Sequence, residues 1–311
     1  STQGYSSAAS DVYKRQYYFN GKNMKNTLFI FGLFFLLGAC CHKTHQTDLK
    51  IMSFNVRYDT PRDSMNNWQY RKEEAGKMLN YYAPDIVGMQ EVLHNQLEDM
   101  KSRLPQYTAI GVGREDGKEG GEYNPLFFKT GRFEVLKSGN FSLSETPEKV
   151  GIKGWDAVCK RIATWAIFKD KESGVEFMAL NTHLDHKGEV ARQESARLLV
   201  KQITALAEGR PFVMTGDFNT IPDSDIILLL TEEGKVKNAK LEAALVYGPE
   251  WTFHDFGRLP QTERTWIDYI FISPDIQVNK FRNITDIPNT GFCPIIIRSL
   301  QKLLFKNKTS E

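Results

Sequence analysis

The stretch "TGDFNT" at residues 215–220 places a carboxylate and an amide two positions apart, directly after the apolar run "PFVM". Positions i and i+2 of a strand point the same way, so Asp217 and Asn219 would direct their side chains at one spot. That spot lies just beyond a strand end, where open α/β sheets often bind ligands. The alternative is an ordinary turn, because Asp and Asn are common turn formers. If other segments direct polar side chains at the same spot, a ligand-binding site is favoured over a turn.

Four further polar groups lie at or near the ends of strand-like runs. They are Asn55 after "LKIMSF", Glu91 after "PDIVGMQ", His183 in "NTHLDH" and Asp268 in "WIDYIF". A lone buried Asn or His is more often a satisfied core residue, but the coincidence at several strand ends favours a shared site. Oxygen and amide groups with few imidazoles suit a hard cation, Mg²⁺ or Mn²⁺, better than Zn²⁺.

The segments that must position these groups alternate between strand and helix patterns. Strand-like runs occupy residues 49–56, 84–91, 160–170, 174–183, 211–219, 264–273 and 293–300, and "KESG" between the third and fourth runs indicates a hairpin. Apolar spacing predicts one helix from Trp68 to Tyr82, stopped by Pro84, and another within "EVARQESARLLVKQITALAE". This order indicates mixed sheets with helices outside, in one domain over residues 49–301 with a tail at 302–311.

The composition is that of a soluble globular protein, with 41% hydrophobic and 25% charged residues among 311. Residues 1–49 hold five of the 40 Lys and Arg and two of the 38 Asp and Glu, so 35 basic and 36 acidic residues remain in the body. A body without positive excess gives no support to sequence-independent binding of a nucleic-acid backbone. We expect a monomer.

The segment "MKNTLFIFGLFFLLGACC" has the pattern of a targeting sequence. Its uncharged run, Leu28–Ala39, is too short to span a membrane and fits the apolar part of a signal peptide. Small residues before Cys40 resemble a bacterial lipobox. We therefore expect a lipoprotein signal peptide at 24–40, lipidation of Cys40, a tether at 41–48 and anchorage in the bacterial cell envelope. An ordinary secretory signal or an anchor helix are the alternatives. Residues 1–23 fit no signal pattern and are interpreted as a non-native extension.

Cysteines are sparse beyond the predicted lipidation site. The body contains only Cys159 and Cys293, and no C-x-x-C occurs. A disulfide scaffold and a thiolate zinc site are thus disfavoured. A single disulfide between these two cysteines stays open, since an exported protein meets oxidising conditions.

Five stretches together carry a family resemblance. In chain order, "FNVRYD", "MQEV", "NTHLDH", "GDFNT" and "WIDYIF" resemble the endonuclease/exonuclease/phosphatase superfamily of metal-dependent phosphoesterases, and they span most of the body. The resemblance implies an α+β fold, a four-layer α/β/β/α sandwich of two packed mixed sheets with helices on the outer faces. It also implies Mg²⁺-dependent hydrolysis of a phosphodiester or phosphomonoester by attack of water.

The same resemblance implies roles for individual residues. Glu91 would be the main metal ligand, assisted by Asn55, and Asp217 would orient or deprotonate the attacking water. Asn219 would donate to a phosphate oxygen. His183 would contact the phosphate or protonate the leaving group. Two positions resemble substrate contacts of family members, with a core tyrosine and a surface arginine as the alternatives; they are Tyr123 and Arg161.

The C-terminal part departs from the family pattern. Family members carry Ser-Asp-His before the last strand, whereas this chain reads "NTGFCPIIIRSL" and has no His after His254. Asp268, which resembles the residue that orients the missing His, has lost that partner. His186 and His254 are expected to brace loops. Either the sequence is damaged here, as residues 1–23 suggest, or the chain is an impaired or inactive member. The function is thus that of a phosphoesterase impaired as written or of a catalytically inactive lipoprotein that binds a phosphorylated ligand. A structural envelope protein would leave the strand-end groups unexplained. The sequence leaves open sugar phosphates, phospholipid headgroups, inositol phosphates and nucleic acids as substrates.

Overall fold

The computed structural model describes residues 46–285 and, for the last strand, residues 298–306. The predicted signal peptide, the lipidation site Cys40 and Cys293 lie outside these residues. Cys159 has no disulfide partner within the described part. No helix in that part combines the length and the apolar character that a membrane span requires.

Thirteen strands and four α-helices make up the described part of the chain. The strands are β1 (Gln46–Asn55), β2 (Ile86–Gln90), β3 (Tyr107–Ile110), β4 (Leu126–Lys129), β5 (Phe133–Ser142), β6 (Ile162–Asp170), β7 (Glu176–His183), β8 (Phe212–Asp217), β9 (Lys237–Asn238), β10 (Val246–Tyr247), β11 (Asp268–Ile272), β12 (Ile276–Ile284) and β13 (Arg298–Lys306). The helices are α1 (Trp68–Tyr82), α2 (His94–Arg103), α3 (Glu189–Ala207) and α4 (Asp225–Thr231). Short 3₁₀ turns occupy Pro61–Asn66, Asp255–Gly257 and Gln261–Glu263.

The strands form two mixed sheets. The first has the order β10-β12-β13-β1-β2-β4-β3, and the second has the order β5-β6-β7-β8-β11-β9. Each sheet contains a central parallel pair, β1 with β2 in the first and β7 with β8 in the second. The carboxyl ends of a parallel pair lie at one edge of their sheet, so each sheet offers two neighbouring strand ends for a site.

Three apolar clusters define four layers. The central cluster joins the inner faces of the two sheets and includes Ile51 and Ile86 from one and Phe177 from the other. A second cluster packs Leu199 and other residues of α3 and α4 on the outer face of the second sheet, and the third packs Leu79 and other residues of α1 and α2 on the first. The α/β/β/α sandwich is therefore confirmed.

The helix predicted from Trp68 to Tyr82 matches α1. Asn67 caps its start by accepting from the Gln69 N–H, and Ala83 ends it in a left-handed conformation. The predicted hairpin is the antiparallel pair β6–β7. The last strand, β13, pairs with β1 and ends at Lys306. This end lies five residues beyond residue 301, the predicted end of the domain. The sequence gives no local signal for this extension, because it depends on pairing with a distant strand.

A buried polar network ties the two sheets together beside the predicted site. Gln90 Nε2 donates to Asn181 Oδ1 at 2.6 Å and to Ser53 Oγ at 3.2 Å, and Thr215 Oγ1 donates to Asn181 Oδ1 at 3.0 Å. Gly88 faces this network. A Cβ there would overlap Thr215 Oγ1 and lie 2.6 Å from Asn181 Oδ1. The close approach of the two sheets thus requires glycine at this position.

We expect Gly88→Ala to lower the free energy of unfolding by about 1–3 kcal/mol, because the added methyl must displace buried hydrogen-bonded groups. Urea unfolding followed by circular dichroism measures the change. Gly131→Ala is the matched control, since a Cβ at Gly131 meets nothing within 4 Å. Equal stability of the two variants would contradict the close-approach explanation.

Candidate active site

Strand ends from both sheets place the predicted residues at one edge of the sandwich. Asn55 is the last residue of β1, and Glu91 directly follows β2. His183 ends β7 in register with Asp217 at the end of β8. Asp217 is in turn in register with Asp268, the first residue of the antiparallel strand β11. The structure therefore brings together all five groups predicted from strand ends.

Several residues that follow these strands adopt left-handed backbone conformations. The φ angles are 57° at Arg57, 61° at Glu91 and 49° at Asn219. Residues other than glycine seldom adopt this region, and such strain concentrates at functional sites because the surrounding structure must hold it. Here the turns end the strands and direct the side chains of Glu91 and Asn219 into the site.

Asn55 connects the two carboxylates of the site. Its Nδ2 donates to Glu91 Oε1 at 2.8 Å and to Asp217 Oδ2 at 2.9 Å, while its Oδ1 accepts from the Arg57 backbone N–H at 2.8 Å. The sequence-based prediction made Asn55 a metal ligand. In this arrangement Asn55 presents its nitrogen to the carboxylates and positions them, and its contact with a metal stays a prediction.

The Glu91–Asp217 pair has the chemistry of a divalent-cation site. Burial raises the pKa of Asp217 to about 6, and the nearby charge of Glu91 acts in the same direction. Donor atoms of Glu91, His183 and Asp217 lie within 4.8 Å of one another. A cation would relieve the repulsion between the buried Asp217 carboxylate and the partly buried Glu91 carboxylate, so the residues present fit a metal.

His183 and Asn219 hold each other in place. Asn219 Nδ2 lies 2.9 Å from His183 Nε2 and donates to the Leu184 carbonyl at 3.0 Å. Burial and the positive charges of Arg161 and Arg114 keep the pKa of His183 well below its ordinary value, which favours the neutral imidazole. Its Nε2 then accepts from Asn219. The predicted role of His183, contact with the phosphate or protonation of the leaving group, stays a prediction.

Asn219 differs from its predicted role in a similar way. Both hydrogens of its amide are used, by His183 and by the Leu184 carbonyl. A phosphate oxygen would have to replace His183 as acceptor before Asn219 could donate to it. The Asn219 backbone N–H donates to Asp217 Oδ1 at 2.9 Å, so this residue also orients the carboxylate.

Arg161 is a buried cation with spare hydrogen-bond donors. Only 4% of the residue is exposed, and its Nε and Nη1 have no hydrogen-bond partner among the described residues. Its Nε lies 3.6 Å from Asp185 Oδ2, and its Nη2 lies 3.3 Å from His186 Nδ1. Unmatched donors on a buried guanidinium are costly, and a phosphate oxygen in the cleft would satisfy those of Nη1.

A second cluster of potential ligands, Cys159, Asp185 and His186, does not have the properties of a metal site. Asp185 Oδ1 accepts from the Lys187 and Gly188 backbone N–H groups, and Oδ2 accepts from that of Cys159. These bonds and Arg161 hold the pKa of Asp185 at about 2 despite burial. The carboxylate is thus saturated by donors and lies beside a cation.

A cleft of about 680 Å³ lies at this edge of the sandwich. Its lining includes seven of the residues predicted from the sequence: Asn55, Glu91, Arg161, His183, Asp217, Asn219 and Asp268. The cleft also contains residues that the sequence reasoning did not select as site residues: Arg57, Tyr58, Arg114, Glu122, Cys159, His186, Thr252, Phe253, His254, Asp255, Phe256 and Ile267. For Arg114 and Glu122 the sequence offered a signal, the charged segment "REDGKEGGE" that contains both. In the structure these two residues form a bidentate ion pair at 2.7 and 2.8 Å.

Tyr123, which the resemblance suggested as a substrate contact, does not line this cleft. It packs in the apolar cluster beneath α1 and α2, and its hydroxyl lies 3.1 Å from His94 Nδ1. The structure therefore favours the alternative of a core tyrosine. Arg161 is buried, so the alternative of a surface arginine is wrong.

The two-sheet sandwich therefore brings carboxylates and a buried arginine together in one cleft. The chain belongs to the Endonuclease/Exonuclease/phosphatase family, whose sequence profile matches residues 52–289. The family membership expected from the five sequence stretches is thereby confirmed.

Solved structures of bacterial relatives share this fold over nearly their whole length. A family member from Bacteroides vulgatus is 48% identical, with a TM-score of 0.80 over 83% of this chain and 98% of that one. A mannosyl-6-phosphatase from Bacteroides thetaiotaomicron is 36% identical, with a TM-score of 0.78 over 83% of this chain and 100% of that one. Protein angel of Drosophila melanogaster is 25% identical over 217 residues, which cover 67% of this chain and 59% of that protein.

Proposed function

We propose that the protein is a Mg²⁺-dependent phosphoesterase that releases phosphate from a phosphorylated sugar. Family membership supports hydrolysis of a phosphate ester. The choice of a sugar monoester is supported by the 36% identity to a mannosyl-6-phosphatase along that protein's entire chain. Among the substrates that the sequence left open, this relative favours sugar phosphates.

One observation carries the proposal. The cleft contains a pair of carboxylates, the partly buried Glu91 and the buried Asp217, and a buried guanidinium, Arg161, with donors that are unmatched among the described residues. The carboxylates favour a cation and the guanidinium favours an anion. A magnesium ion together with a phosphoryl group would satisfy both requirements in one cleft.

The chain's own residues have separate tasks in such a reaction. Glu91 and Asp217 would hold the cation, which when bound would offset the charge that develops on the phosphoryl oxygens. Asp217 Oδ2 is fixed by Asn55, and Oδ1 is fixed by the backbone of Asn219. This carboxylate can therefore orient a water and accept its proton. Arg161 would bind a phosphoryl oxygen through its Nη1–H groups, which have no partner among the described residues.

A second candidate function follows from the missing Ser-Asp-His sequence. Without its histidine, the cleft would retain the groups that bind a cation and phosphate but lack one acid–base group. The protein would then bind a phosphorylated sugar without turnover. Phosphate release separates the two functions, because only the enzyme yields inorganic phosphate from bound ligand.

We expect Glu91→Gln to weaken Mg²⁺ binding at least about tenfold, because the substitution removes one of the charges that favour the cation. Titration calorimetry of the purified chain with Mg²⁺ measures the affinity, and phosphate release from mannose 6-phosphate is measured in parallel. The circular dichroism spectrum should stay that of the unsubstituted protein.

Glu119→Gln is the matched control, since this glutamate is 75% exposed and lies outside the cleft lining. Its Mg²⁺ affinity should equal that of the unsubstituted chain. Identical affinities in the Glu91 and Glu119 variants would show that Glu91 does not bind the cation.

A further inference from the structure

The cleft has an aromatic wall in addition to its charged groups. The wall consists of Phe253 and Phe256, from the segment between β10 and β11. Phe253 is 42% exposed although it belongs to the cleft lining. Most of the other lining residues are charged or polar, so the wall is a local apolar surface within a polar cleft.

Hydrogen bonds to the segment that leads into β11 fix the position of Phe253. Its backbone N–H donates to the Thr265 carbonyl at 2.8 Å, and the Thr265 N–H donates back at 3.2 Å. The neighbouring Thr252 Oγ1 accepts from the Ile267 and Asp268 N–H groups, both at 3.0 Å. Phe253 is thus tied to the same strand end that places Asp268 beside Asp217.

Backbone strain and stacking fix Phe256. Asp255 and Phe256 have φ angles of 46° and 55°, two successive left-handed residues without glycine. Such strained residues cluster at ligand clamps and active sites. The guanidinium of Arg71 lies 5.3 Å from the Phe256 ring centroid, and that of Arg258 lies 5.5 Å away. The ring is therefore held in place by two cations.

We propose that the aromatic wall binds one face of the ring of the phosphorylated sugar. It thereby selects substrates in which the phosphate is attached to a sugar. This inference rests on the proposed function. A sugar ring has an apolar C–H face and a rim of hydroxyl groups, so it needs a flat apolar surface bordered by polar groups. Phe253 supplies the surface, and Arg114, Glu122 and His254 line the same cleft as polar neighbours.

The polar character of the cleft argues against a lipid tail, which would need a continuous apolar groove. A nucleobase is the other flat ligand that an aromatic surface could bind. The hydroxyl rim of a sugar matches the charged border of this wall better than a base does. A nucleoside monophosphate is therefore the competing substrate in the test.

Substrate selectivity of a Phe253→Ala variant tests the proposal. We expect the ratio of kcat/KM for mannose 6-phosphate to that for methyl phosphate, which has no ring, to fall about tenfold. Phe253→Tyr keeps a flat ring and should retain the ratio of the unsubstituted protein. Tyr81→Ala is the control for loss of an exposed aromatic, because Tyr81 is 81% exposed and lies outside the cleft lining.

An unchanged ratio in Phe253→Ala would overturn the proposal, and so would a larger loss for adenosine monophosphate than for mannose 6-phosphate. Failure of the proposed function gives a different result, because the unsubstituted chain would then release phosphate from none of these esters. In that case, calorimetry compares mannose 6-phosphate with inorganic phosphate as ligands. The proposal predicts that Phe253→Ala weakens binding of mannose 6-phosphate more than binding of inorganic phosphate. Equal weakening of the two ligands would overturn it.

Discussion

Asp217→Asn should lower kcat for phosphate release by about 10²–10⁴-fold, the usual contribution of a positioned general base. The asparagine keeps the shape of the side chain and one oxygen, but it cannot take a proton from water. It also lacks the charge that Asp217 would offer to the cation, so kcat is compared at saturating Mg²⁺. Asp217 is held by the Asn55 side chain and by the Asn219 backbone N–H, so its position should change little. A fall in kcat at similar KM, measured by phosphate release, is the expected signature.

Asp223→Asn is the control for loss of an acidic group close in sequence, since Asp223 is exposed and lies outside the cleft lining. Its kcat should equal that of the unsubstituted chain. An Asp217→Asn variant that keeps kcat within a factor of ten would show that another group activates the water.

Insertion of Ser-Asp-His between Phe292 and Cys293 should raise kcat by about 10²–10⁴-fold. The expectation comes from the family resemblance, in which an aspartate equivalent to Asp268 orients this histidine. Asp268 is buried, lines the cleft and lies in register with Asp217. An imidazole beside Asp268 would therefore act on the same phosphoryl group as Asp217. The measurement compares phosphate release by the two chains at equal Mg²⁺.

Insertion of Ser-Asp-Ala at the same position is the matched control, because it adds the same length of chain without the imidazole. It should leave the rate near that of the chain as written. Equal gains from the two insertions would assign the effect to chain length. No gain from either would show that the cleft does not use this histidine.

The sequence predicted those site residues whose positions follow from the ends of strands. Asn55, Glu91, His183, Asp217 and Asp268 converge because the side chain at a strand end projects from a known edge of the sheet, and pattern locates that end. The pattern does not determine which atom of an amide faces which neighbour. Asn55 presents its nitrogen to the carboxylates, which depends on the positions of Glu91 and Asp217 together.

The parts that the sequence did not predict depend on contacts between distant segments. Arg114 and Glu122 lie in a loop between β3 and β4, where no periodicity marks a direction for a side chain. Phe253 lines the cleft because its backbone pairs with Thr265. The strand β5 escaped prediction because much of it is exposed and it lacks the alternation of a half-buried strand.

Anomalous diffraction from crystals grown with Mn²⁺ and inorganic phosphate tests the central claim most directly, because it locates the cation and the anion in one experiment. The account predicts a manganese peak at the carboxylates of Glu91 and Asp217, with phosphate bound by Arg161 in the same cleft. A manganese peak at Cys159, Asp185 and His186 instead, or phosphate bound away from Arg161, would contradict it.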